Sequence, residues 1–131
     1  MSTAENPTTL TVWRSSVSNS PSTLGSLLVY GSNGPLGASS AVQPDDYGAA
    51  ATGPFAQALA IPAVNRASSS ITLSSTETQV INHNGVTQFR LQFTALNNGN
   101  ALADQLLIDS GTATARRPQL TVKYTAPAPP Q

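Results

Sequence analysis

Residues 86–94 read VTQFRLQFT, with Phe89, Leu91 and Phe93 on one parity and Gln88, Arg90 and Gln92 on the other. Alternation with period two places apolar side chains on one side of an extended backbone, which is the pattern of a half-buried strand. The same pattern recurs along the chain. TTLTVWR at 8–14 sets Leu10 and Val12 against Thr11 and Trp13, and SLLVYG at 26–31 is a short apolar run that includes Tyr30. ADQLLIDSG at 103–111 and QLTVKY at 119–124 complete the set. Clusters rich in Gly, Asn, Ser and Pro, such as SSVSNSPST, GSNGPLGASS and NNGN, separate these runs as turns. Short strands with one apolar face each bury those faces by packing sheet on sheet. The expected fold is therefore all-β, an antiparallel two-sheet sandwich spanning residues 8–125.

Helix is expected only as one or two short turns. SSTETQVINHNG carries a capping-box pattern at Ser74 and Glu77, with Asn84-Gly85 as its stop. QPDDYG at 43–48 offers a second turn after Pro44. Residues 1–7 are expected to form a flexible lead-in. Residues 126–131, rich in Pro and Ala, are expected to be an extended linker following the closing strand, on which Leu120, Val122 and Tyr124 face inward.

Composition narrows the function classes. Charged residues make up 9% of the chain and the formal net charge is zero, with one lysine, Lys123. Six scattered basic residues provide no electrostatic footprint for nucleic acid and no polybasic patch for anionic lipid. No apolar run approaches the ~18 residues of a membrane span. The opening STAENPTT carries neither the basic nor the apolar region of a leader. Cysteine is absent, which removes disulfides, zinc–thiolate sites and thiol nucleophiles. Abundant Ser, Thr and Asn with little lysine point to a secreted or cell-surface module rather than a cytosolic enzyme.

Four segments taken in order, LLVYGSNGPLGASSAVQPDDYGAAAT, GVTQFRLQF, ADQLLIDSG and RPQLTVKY, resemble the secreted bacterial β-sandwich modules called DNRLRE-domain proteins. These are related to disaggregatase-associated domains and to carbohydrate-binding modules of the alginate-binding, family-96 type. The resemblance runs from Thr8 to Tyr124 and rests most on TQFRLQF and RPQLTVKY. It implies a jelly-roll-type sandwich in an extracellular protein, with polysaccharide attachment as its role. Two departures stand out. The acidic run that members carry between their RLRF strand and their AD strand reads TALNNGNALAD here, neutral until Asp104. Members also begin with further strands ahead of the segment matching TLTVWR, where this chain has MSTAENPT. A sandwich short of those strands either closes with fewer, or takes a strand from a partner, such as another copy, through an exposed sheet edge.

The candidate contact residues are Trp13, Tyr30 and Arg90. If Leu10, Val12, Leu27 and Val29 point inward, Trp13 and Tyr30 point outward, and on neighbouring strands they would form an aromatic platform suited to sugar rings. Cover by a loop or a second chain is the alternative for Trp13. Arg90, on a polar strand face, could meet Asp109 across a sheet or a polar ligand. Asp45 and Asp46 are adjacent loop carboxylates that could contribute to a calcium site, but turn and cap chemistry is the favoured account of them. No other cofactor is expected. His83, the single histidine, has no nucleophile–acid arrangement around it in sequence, and no paired carboxylates stand out for glycoside hydrolysis. The expected function is a non-catalytic binding or adhesion module. The alternative is a structural subunit that self-assembles into a fibre or array by strand complementation.

Overall fold

In the computed structural model, residues 3–37, 39, 41–82, 84–95, 98–99, 101–102 and 104–125 are described, with side chains from residue 8 to residue 122. The strands are β1 (Thr3–Ser18), β2 (Leu27–Asn33), β3 (Ser68–Leu73), β4 (Thr87–Phe93), β5 (Gln105–Ile108) and β6 (Gln119–Thr125). Three single 3-10 turns interrupt them: η1 (Pro21–Leu24), η2 (Pro44–Tyr47) and η3 (Glu77–Val80). The last two fall where the capping pattern and QPDDYG place them; η1 lies in a segment expected to be only a turn cluster. The described chain forms two antiparallel sheets, and the all-β sandwich expected from alternation is what is found.

β1 is the spine of the larger sheet. On one edge it pairs with β3, from Thr8↔Leu73 to Trp13↔Ser68. On the other it pairs with β6 through Thr3–Glu5 and Thr9–Thr11. Past a bulge at Ser15 it pairs with β5 from Arg14 to Ser18. The Trp13 carbonyl accepts from the Asp109 amide at 2.9 Å while the Arg14 amide donates to Ala67 on the β3 side at 2.9 Å. β5 therefore continues along the edge that β6 occupies further back. The smaller sheet is β2 with β4, in register from Leu27↔Phe93 to Asn33↔Thr87.

The first strand corrects one expectation. Residues 3–5, assigned to a flexible lead-in, pair with the end of β6. Pro7 explains the error. Having no amide hydrogen it reads as a strand breaker, yet the register with β6 slips between Glu5 and Thr9, so the bulge absorbs the proline. β3 is a second omission. In SSSITL only Ile71 and Leu73 are apolar, and a Ser-rich run resembles a turn; both side chains are nevertheless fully buried, at 1% and 0% exposure.

The core lies between the sheets. Leu10 and Val12 of β1 and Ile71 and Leu73 of β3 meet Leu27 and Val29 of β2, with Phe55, Leu59 and Val80 closing the ends. Phe89, Leu91 and Phe93 of β4, and Leu106 and Ile108 of β5, pack against this cluster while half-buried.

The two flanks of the sandwich are finished differently. Beside β2, residues 52–59 run as an irregular third strand. Gly31 and Thr52 exchange both backbone hydrogen bonds, at 2.9 and 2.8 Å, and the Phe55 and Leu59 amides donate to Val29 and Leu27 at 2.8 and 2.9 Å. The same segment reaches the larger sheet. Gln57 Oε1 accepts from the Thr72 amide at 2.9 Å, and Glu77 Oε2 accepts from the Ala56 amide at 2.7 Å. That flank is closed.

Among the described residues, the opposite flank, at the far edge of β4, is open. The Thr94 amide donates to Ser26 across the β2–β4 ladder at 3.1 Å, so strand alternation turns the backbone groups of Phe89, Leu91 and Phe93 away from β2. Among the described residues no hydrogen bond meets those three on that edge. β6 lies on this side too. Leu120 sits opposite Leu10 and so shares its inward face, as expected, but it remains 36% exposed; Val122 is half-buried, and the Tyr124 side chain lies outside the described residues.

Candidate functional site

The outward face of the smaller sheet carries the densest polar and aromatic grouping among the described residues. Tyr30 and Arg90 are directly opposite in the β2–β4 register, and the guanidinium carbon stands 4.6 Å from the Tyr30 ring centroid. Arg90 Nη1 donates to the carbonyls of Asp46 and Ala49 at 2.9 and 2.8 Å. One side chain thus stacks on the sheet and pins the loop that crosses it.

That loop is shaped by its own sequence. Gln43 caps η2 and Pro44 opens it, with the φ that a first helical position requires. Asp46 Oδ2 accepts from the Gln43 amide at 2.9 Å, completing a capping box with the Gln43 side chain. Upstream, the Leu36 amide donates to Gln88 Oε1 at 2.7 Å, which ties the loop to β4 at a second point. Between the loop and β4 lies a cleft of about 550 Å³, walled by Leu36, Val42, Pro44 and Tyr47 and floored by residues 88–91. Tyr47 is 54% exposed, and Gln92 Nε2 donates to its hydroxyl at 3.5 Å. Asp46 Oδ1, Arg90 Nε and Gln92 Oε1 are buried around this grouping without a hydrogen-bond partner, a concentration of unpaired polar atoms that interiors rarely tolerate.

The residues singled out from sequence divide as follows. Tyr30 and Arg90 come together. Trp13 does not join them, since it lies half-buried on the outward face of the larger sheet, opposite Ser68, so the two-aromatic platform is not formed. The physical reason is that β1 and β2 belong to different layers, and two outward faces of a sandwich point apart. Arg90 does not meet Asp109, which instead pairs with Arg116 at 2.9 Å. Asp45 and Asp46 form the first turn of η2, and among the described residues no three His, Cys, Asp or Glu side chains gather as a metal cluster. His83 and residues 126–131 lie outside the described residues.

Tyr47, Gln88 and Gln92 were not anticipated. Gln88 and Gln92 share the parity of Arg90 and were recoverable from alternation alone. Tyr47 was not, because only the fold of the 36–49 loop over β4 brings it there. No helix of the described chain is long and apolar enough to cross a membrane. Compared with family models, with curated proteins and with solved structures, the chain matches none of them.

Proposed function

We propose that the chain is a non-catalytic β-sandwich binding module of a secreted or cell-surface protein, taking a neutral polysaccharide in the cleft between η2 and β4. The observation that carries this reading is the cleft itself: an exposed Tyr47 ring and apolar walls over a floor of Gln88 and Arg90. Sugar rings present apolar C–H faces and a rim of hydroxyls, and clefts that bind them combine a ring to stack on with a few fixed polar groups. Neutrality follows from the electrostatics. The Arg90 charge is held by two loop carbonyls and the Tyr30 face, with the Asp46 carboxylate close by, so little net field reaches a ligand.

The carboxylates support a binding rather than a catalytic role, because each of several has a structural task. Asp104 accepts from the Ser20 amide, Asp109 pairs with Arg116, and Glu77 accepts from the Ser74 and Ala56 amides. The test is titration of the purified chain with neutral and acidic oligosaccharides, followed by calorimetry. Tyr47→Ala is expected to weaken binding about fivefold or more with the fold intact, since a stacked aromatic contributes on the order of 1 kcal/mol or more. Trp13→Ala is expected to leave affinity unchanged. Equal affinity in wild type and Tyr47→Ala would remove the cleft as the site.

A further inference from the structure

We infer that the open edge of β4 is a self-association edge, on which a second copy of this chain adds its own β4 in antiparallel pairing about a twofold axis through Leu91. Three observations converge on it. The backbone groups of Phe89, Leu91 and Phe93 point out from β4 and meet no partner among the described residues, whereas on the other side of the sheet the Leu27 and Val29 carbonyls and both backbone groups of Gly31 bond to residues 52–59. Apolar side chains on either side of this edge are uncovered: Leu120, 36% exposed on the inward face of β6, and Val42, 96% exposed on the loop beside Phe89 and Leu91. The chain has zero formal net charge, so two copies approach without net repulsion.

The occupant is identified by register. Hydrogen bonds form only between residues whose backbone groups face each other, so each outward-facing residue of β4 must sit opposite another outward-facing residue of the partner's β4. Centring the axis on Arg90 would oppose two guanidinium groups at a closely spaced pair, which is unfavourable. Centring it on Leu91 uses all three residues of each copy. Phe89 then faces Phe93 of the other copy, Leu91 faces itself, and Arg90 faces Gln92. The smaller sheet grows from two regular strands to four, and the added strand extends it over the uncovered face of β6. The edge is complementary to itself. An isologous pairing of this kind occupies both edges at once, so it closes as a dimer and does not propagate as a fibre. It shares Val42 and residues 88–91 of β4 with the cleft proposed for polysaccharide, but its tests read mass and cross-linking without sugar and leave Tyr47 unchanged.

Three measurements test the pairing. First, wild-type mass is determined by sedimentation equilibrium across the micromolar range, where twice the 13.5 kDa chain mass is expected and a monomer throughout would overturn the proposal. Second, Gln92→Arg and Gln92→Glu are compared. The register puts residue 92 opposite Arg90, so the arginine variant should dissociate about tenfold more readily than the glutamate variant, since cross-strand pairs of like charge repel and of opposite charge attract. Equal dissociation of the two rejects the register. Third, the chain has no cysteine, so a single introduced thiol is an unambiguous reporter. In a hydrogen-bonded pair the Cα atoms lie roughly 5.5 Å apart, within disulfide reach. Leu91→Cys should therefore oxidise to a linked dimer, whereas Phe89→Cys should not, because its own copy lies four positions away. Equal cross-linking by both also rejects the register. If Leu91→Cys does not fold, the wild-type mass and the Gln92 pair still decide.

Discussion

At the scale of single residues, the molecule depends on a few close approaches that parity does not reveal. Gly31 is the clearest. A β-carbon there would lie 2.8 Å from Phe55 Cζ and 3.0 Å from Val80 Cγ2, so the glycine exists to let two core side chains reach the β2 backbone. Gly31→Ala is expected to cost about 1–3 kcal/mol in urea unfolding, the usual range for overpacking a core. Gly48→Ala, where nothing lies within 4 Å of the added carbon, serves as the control and is expected to be close to neutral. Gly53 makes a similar approach with a different cause. Its φ of +141° is one that other residues rarely adopt, and it brings the chain against Tyr30 and the Val29 carbonyl. Arg90 and Tyr30 were both legible as outward-facing residues. Their pairing was not, because it depends on β2 and β4 being neighbours, and nothing local to either strand specifies its partner.

At the scale of elements, local signals were most reliable where the chain satisfies its own hydrogen bonds. The Ser74–Glu77 capping box is the example. The Ser74 amide donates to Glu77 Oε1 at 2.9 Å and the Glu77 amide donates to Ser74 Oγ at 3.2 Å, as the four-residue pattern predicts. The tertiary fold adds the Ala56 amide to the other carboxylate oxygen, so one side chain closes the turn that leads into η3 and fastens the closed flank. Glu77→Ala is expected to lose about 1–3 kcal/mol of stability, more than a cap alone, and Glu77→Gln to retain most of it; thermal or denaturant unfolding measures both. β1 and β3 show where local signals fail. Pro7 inside β1 is tolerated only because β6 slips past it at a bulge, and SSSITL is a strand only because β1 supplies the ladder.

At the scale of the whole molecule, the asymmetry between flanks is the dominant feature, and hydrogen exchange should report it directly. The amides of Gly31, Phe55 and Leu59, bonded across the closed flank, are expected to be strongly protected at any concentration. The amides of Phe89, Leu91 and Phe93 are expected to exchange quickly in dilute solution and to slow as concentration rises, if the edge pairs with itself. Fast exchange of the Phe89, Leu91 and Phe93 amides at every concentration would argue against that pairing, and fast exchange of the Gly31 amide would contradict the closed flank. The same asymmetry explains why Leu120 fails as a core residue. Its parity is correct, but a side chain is buried only when something lies opposite it, and on that flank the smaller sheet ends at β4.

The class of the fold, the parity of its strands, two of the three short turns among the described residues and the absence of thiol chemistry are all legible in the amino-acid order. Each of these follows from interactions within a few residues: alternation, caps, turn chemistry and composition. Long-range packing sets Trp13 and Tyr30 facing apart, gathers Tyr47 and the two glutamines around Arg90, and closes one flank while leaving the other open among the described residues. Those outcomes depend on which strands become neighbours and which layer each one joins. Strand pairing is made by backbone groups that nearly every residue carries, so the side-chain pattern says which face is buried without saying what lies beside it.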